Sequence, residues 1–163
     1  MIRTAIVSCL ALAACTPGQK AAETAPYAHP EIAAPEPTAA AKYIPAPAGE
    51  IKVKTLVTGS RVTSPLIVEG TAINDWFFEG QFVAELVVDG EVIVQAPAMQ
   101  AGDKSWTDPG PVGFKAELDF GVTKETKAEL ILSEDMPQPI RDDSDERGPA
   151  RSVRIPVVLV PKS

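Results

Sequence analysis

Two turn signals, Glu79-Gly80 and Asp89-Gly90, most constrain what this chain can fold into. They cut the run Val62–Glu91 into three extended stretches: one after Ser64-Pro65, one after Glu79-Gly80, and one beyond Asp89-Gly90. Asp and Gly tolerate the positive φ of a type I′ turn, so Asp89-Gly90 between apolar runs predicts a tight hairpin. That turn pairs Val88 with Glu91, Val87 with Val92 and Leu86 with Ile93. Phe82, Ala84, Leu86 and Val88 alternate with Gln81, Val83, Glu85 and Val87, so both faces of the hairpin are substantially apolar. One of them is therefore covered by a loop, or is a place where something docks.

The same grammar of short alternating strands runs through the rest of the C-terminal two thirds. Ile51–Leu56 sets Ile51 and Val53 against Lys52 and Lys54, and Thr58-Gly59-Ser60 breaks it. Leu66–Ala72 turns Leu66 and Val68 inward, with Gly70 marking a bulge or a close approach of backbone. Phe114–Phe120 alternates most cleanly, Phe114, Ala116, Leu118 and Phe120 facing in. Lys127–Leu132 buries Ala128, Leu130 and Leu132; Val153–Val160 buries Val153, Ile155, Val157 and Leu159. Pro156 cannot donate to a ladder, which predicts that the last strand is bulged or at an edge there. The 16 prolines in 163 residues weigh against helices. About seven short strands joined by turn-rich loops define an all-β chain, with a β-sandwich as the architecture that fits best.

The first fifteen residues have a different purpose. Met1–Cys15 carries one charge, Arg3, and then a run of small or apolar residues too short to span a bilayer but suited to a signal-peptide core. It ends in Leu12-Ala13-Ala14-Cys15, which resembles the lipobox of bacterial lipoproteins. The resemblance implies cleavage before Cys15 and lipid attachment to its thiol; an ordinary secretory signal with an incidental cysteine is the alternative. Residues 1–14 are thus expected to be a lipoprotein signal peptide. Thr16 in place of Asp favours the outer membrane, facing the periplasm, in an organism that has one. Residues 15–49 read as a lipid-anchored, disordered linker: Thr16–Gly49 holds seven prolines and eleven alanines without a helical or strand period. Tyr27, His29 and Tyr43 are scattered aromatics within it, either a short docking motif or incidental. Residues 50–163 are the sandwich.

The folded region resembles the immunoglobulin-like domain family named for bacterial spore germination proteins. The residues that carry the likeness are Val62-x-Ser64-Pro65-Leu66-x-Val68-x-Gly70-x-Ala72, Phe78-Glu79-Gly80, Phe114, Leu118 and Ile155-Pro156-Val157. The resemblance implies an immunoglobulin-like sandwich in an extracytoplasmic bacterial protein and carries no catalytic residues.

Charge and residue types narrow the function further. The net charge of −7 and the lack of a Lys/Arg cluster exclude a nucleic-acid partner. Both cysteines, Cys9 and Cys15, fall in the first fifteen residues, and His29 is the one histidine, so the sandwich has neither a disulfide nor a His- or Cys-based site. Ser60, Ser64 and Ser105 are available hydroxyls, but no Gly-x-Ser-x-Gly elbow occurs. The expectation is a non-enzymatic, cofactor-free envelope protein, anchored to a membrane through its lipid. Its sandwich binds another envelope protein or serves assembly; a peptidoglycan-binding module is the alternative. Trp76 and Phe77, with Trp106, are the candidate binding residues: an exposed platform or a cap on the core. Phe78 is expected to plug the core. Asp142, Asp143 and Asp145 are candidate calcium ligands in an acidic run that departs from EF-hand spacing, the alternative being a solvated loop.

Overall fold

The hairpin at Asp89-Gly90 forms. In the computed structural model, which describes residues 42–140, 142–143 and 145–162, Asp89 and Gly90 take φ of 51° and 87°, both left-handed as a type I′ turn requires. They join β5 (Gln81–Val88) to β6 (Glu91–Ala101). Val88 pairs with Glu91 and Val87 with Val92 as expected, but Leu86 pairs with Val94 and not with Ile93. A bulge between Leu86 and Val87 leaves Ile93 out of the register. The inserted residue lets Val94 and Ala96 pack on the core while Ile93 remains exposed. Glu79 and Gly80, with φ of 51° and 81°, form the second such turn, closed by the Phe78–Gln81 bridge.

Nine strands are present among the described residues, two more than the sequence pattern predicts. They are β1 (Tyr43–Pro45), β2 (Ile51–Val53), β3 (Ser60–Val62), β4 (Leu66–Ile73), β5, β6, β7 (Pro111–Leu118), β8 (Thr126–Ser133) and β9 (Ala150–Leu159). The hydrogen-bonded order is β1-β9-β8-β5-β6-β7-β4-β2, with β3 also on β9. This curled sheet is an all-β, sandwich-like fold. Strand β6 is shared between its two layers, pairing with β5 along most of its length and with β7 through Ala98–Ala101. The one described helix is a single 3-10 turn, Asn74–Trp76.

The unexpected strands are β1 and β3, each three residues long and each parallel to β9. Order therefore begins before Glu50: Tyr43–Pro45 lies in the stretch read as linker, and Ser60 belongs to a strand where a break was expected. Their placement also corrects the reading of Pro156. Strand β9 is internal, flanked by β8 on one side and by β1 and β3 on the other. Pairing with β1 stops at Ser152 and pairing with β3 starts at Val157. The Pro156 carbonyl accepts from Gly59 N–H at 2.7 Å on that side, so the missing donor falls in the gap between two short neighbours.

The core lies between the layers and follows the alternation in sequence. Phe82 is at its centre, with Trp76, Phe77 and Phe114 packed edge-on at centroid distances of 5.6, 5.2 and 4.9 Å. Leu86, Leu118, Leu130, Leu132 and Leu159 complete it, all fully buried. Gly70 is a close approach: a Cβ there would sit 2.2 Å from the Lys52 carbonyl and 2.7 Å from the Phe114 ring. Any side chain would push β2 away from β4.

One polar cluster holds the lower rim of the sandwich together. Arg151 donates from Nε and Nη2 to Glu134 Oε2 at 2.8 and 2.6 Å, and from Nη1 to both oxygens of Glu50 at 2.9 and 2.8 Å. The Glu134 carboxylate also accepts from the Arg151 backbone N–H at 2.7 Å, and Trp76 Nε1 donates to Glu50 at 3.1 Å. The contacts with Glu134 first, and then with Glu50, raise the guanidinium pKa. These bonds tie the approach to β2, the 3-10 turn, the end of β8 and the start of β9 into one satisfied network.

Candidate binding groove

The outer face of β6-β5-β8-β9 contains a concavity. Outward positions on β5 are Val83, Glu85 and Val87, opposite Pro97, Gln95 and Val92 of β6 and Ser133, Ile131 and Glu129 of β8. A groove of about 430 Å³ runs between the Asp89-Gly90 turn and Tyr43, with Val87, Val92 and Ile131 among its walls. That volume lies in the range of small-ligand and side-chain sites, and an apolar lining with a few convergent polar groups is their usual chemistry.

Glu85 is the polar centre. It is 3% exposed, although it lies on the outer face, because β1 brings Tyr43 over it. The Tyr43 hydroxyl donates to Glu85 Oε2 at 2.6 Å, while Lys42 Nζ reaches Oε1 at 3.4 Å. The Tyr43 ring packs with Ile131 and Ala150 in a small second cluster bordered by Val87. Two cations face that ring, Lys42 Nζ at 4.9 Å and the Arg154 guanidinium at 5.6 Å from its centroid. Arg154 is in turn paired with Glu129 at 3.1 Å. The two apolar faces of the hairpin are thus resolved locally: Tyr43 covers the Glu85 end, and Val92 and Ile93 near the turn are 46% and 42% exposed.

Burial, and then the bond to Glu85, raise the Tyr43 phenol above its ordinary pKa. The hydrogen bond to Tyr43, with help from the Glu85 charge, raises Lys42. A group whose folded pKa is raised contributes stability that is complete below its unfolded pKa and is lost as pH climbs through the folded value. Phenol absorbance followed against pH is therefore expected to show a step above the ordinary tyrosine range. Tyr43→Phe should remove that step and cost about 1.5 kcal/mol, the lower end for a hydrogen bond to a charged group. Loss of a step that lies within the ordinary tyrosine range would mean that the hydroxyl is not held on Glu85.

The residues expected to bind are placed otherwise. Trp76 is fully buried and Phe77 is 5% exposed, so both belong to the core and neither forms a platform. Phe78, expected as the plug, is 40% exposed instead. The 3-10 turn rotates the chain so that Trp76 and Phe77 point in and Phe78 starts the Glu79-Gly80 turn. Trp106 is half-buried against the core, its backbone N–H bonded to Gln100 Oε1 at 2.9 Å. Asp142, Asp143 and Asp145 are exposed, and no group of His, Cys, Asp and Glu is placed to hold a metal among the described residues. Ser60, Ser64 and Ser105 bond within their own loops or to a neighbouring one: Ser64 Oγ, for example, accepts from Phe120 N–H at 3.0 Å. Cys15, Tyr27 and His29 lie outside the described residues.

No family model, curated protein or solved structure matches the chain.

Proposed function

We propose that this is a non-enzymatic, lipid-anchored protein of the bacterial cell envelope whose sandwich is a protein-binding or assembly module, contacting its partner through the groove on β6-β5-β8-β9. The observation that carries this reading is the open groove lined by Val87, Val92 and Ile131 beside the buried carboxylate of Glu85, with Val92 46% exposed. An apolar wall of this kind at a sheet face is characteristic of contact surfaces. The Leu12-Ala13-Ala14-Cys15 run supports the anchor and an envelope location, and Thr16 after it supports the outer membrane in an organism that has one. The likeness to the immunoglobulin-like domain of spore germination proteins supports an extracytoplasmic module. Glycan binding through stacked tryptophans loses its support, because Trp76 is inside the core.

Photocrosslinking in living cells tests the reading. A photoreactive residue at Val92 is expected to give one abundant protein adduct. The same residue at Lys115, exposed on β7 away from the groove, is expected to give none. Adducts from Lys115 alone, or adducts to glycan alone, would overturn the assignment of the contact surface.

A further inference from the structure

We infer that the groove selects a lysine side chain of a partner protein, and that Lys42 is the chain's own competitor for that position. The inference rests on the groove being the contact surface and adds the chemistry that the partner must present. Three observations converge on it.

First, Glu85 is a carboxylate in an apolar setting. A carboxylate offers about four acceptor positions; among the described residues, Tyr43 O–H fills one at 2.6 Å and Lys42 Nζ approaches another at 3.4 Å. A buried charge of this kind is strongly stabilised by a better-placed cation. Second, the surroundings suit an ammonium on an aliphatic stem. Val87 and Ile131 can take the methylenes, the Tyr43 face takes the cation, and Glu85 accepts its protons. Third, Lys42 already demonstrates that an ammonium is held beside this carboxylate and ring. Its side chain is 60% exposed while that of Glu85 is 4% exposed, so the contact is made from the mouth of the groove. The 3.4 Å contact is at the long end for a hydrogen bond, so a cation placed closer to the carboxylate can take over the position of Lys42.

Charge balance points the same way. Lys42, Lys127 and Arg154 line the groove with Glu85, Asp89 and Glu129. Once Lys42 swings out, the remaining five carry a net negative charge, and Arg154 stays occupied by Glu129. An incoming acidic side chain would meet Glu85; an incoming lysine restores the balance that Lys42 supplied.

The test is a titration of the isotope-labelled full chain in detergent micelles, followed by amide NMR. The probes are Nα-acetyl-lysine N-methylamide and its neutral isostere, Nα-acetyl-norleucine N-methylamide. The lysine probe is expected to shift the amides of Glu85, Val87 and Ile131 at millimolar concentration, and the norleucine probe to shift them several-fold less. Lys42→Met should strengthen lysine binding about threefold, as loss of a weak surface competitor predicts. Glu85→Gln, which keeps an acceptor for Tyr43, should abolish the preference for lysine. Equal response to both probes, or none at the groove, overturns the inference. Should Glu85→Gln fail to fold, Lys42→Met at its exposed site still decides, and unchanged lysine affinity there also overturns it. A Val92 crosslink that persists in either case leaves the contact surface standing and removes only its lysine specificity.

Discussion

Replacing Arg151 by methionine is expected to lower the stability of the sandwich by about 3 kcal/mol, the lower end for removing one member of a buried ion pair. The reason is what remains behind. The Glu134 side chain is 2% exposed and takes both its side-chain donors from the Arg151 guanidinium. Without them its charge is buried beside Glu50, a second carboxylate that shared the same cation. The raised pKa of Arg151 means that its contribution is complete everywhere below the ordinary guanidinium range, so the loss should be seen throughout neutral pH. Urea unfolding should show a lower midpoint with an unchanged slope. Arg151→Met combined with Glu134→Gln should recover part of the loss, because the orphaned charge is then gone. Simple additivity of the two substitutions would show that they do not act as a pair.

Trp76→Ala has an effect of similar size by a different route. The indole is fully buried, packs edge-on against Phe82, and donates its N–H to Glu50. Truncating a buried tryptophan costs about 3–5 kcal/mol, through lost transfer energy and the cavity left behind. Trp76→Phe keeps most of the packing and gives up the hydrogen bond, so about 1 kcal/mol is expected for it. Thermal unfolding of the two variants measures the difference. Equal, small shifts would mean that the indole is not part of the core. A binding assay on Trp76→Ala would accordingly report unfolding and not contact with a ligand.

Strand positions were legible where the sequence alternates and turns are marked. Phe114, Ala116 and Leu118 face inward as their spacing requires, and Asp89-Gly90 fixes the first two pairs of its hairpin. The slip at Ile93 was not legible, because the sequence on either side of a bulge keeps an apolar character and only packing decides which residue is inserted. Strands β1 and β3 were missed for another reason: three residues show no period, and each gains its partner from β9 about a hundred residues away. Tyr43 lies between Lys42 and Pro45 in an Ala/Pro-rich stretch, so its composition resembled a linker. The groove was out of reach on the same ground, since Tyr43 and Glu85 are 42 residues apart. Its one local signal was Glu85 itself, a single acid between the outward-facing Val83 and Val87. At Asn74–Trp76 the opposite error arose, because a 3-10 turn rotates side chains out of the two-residue period and exchanges the roles of Trp76 and Phe78.

The position of β1 has a mechanical consequence. A pull applied to the chain ahead of Lys42 loads the three-residue β1 ladder and the Tyr43–Glu85 bond before it reaches any other strand. Those few contacts are in line ahead of the Glu50–Arg151 clamp, so they are the part that yields first. Peeling β1 away would bare Glu85 and the Ala150–Ser152 edge of β9 while β3 keeps its grip on Val157–Leu159. Tension would then dismantle the groove itself, because Tyr43, one of its walls, leaves with β1.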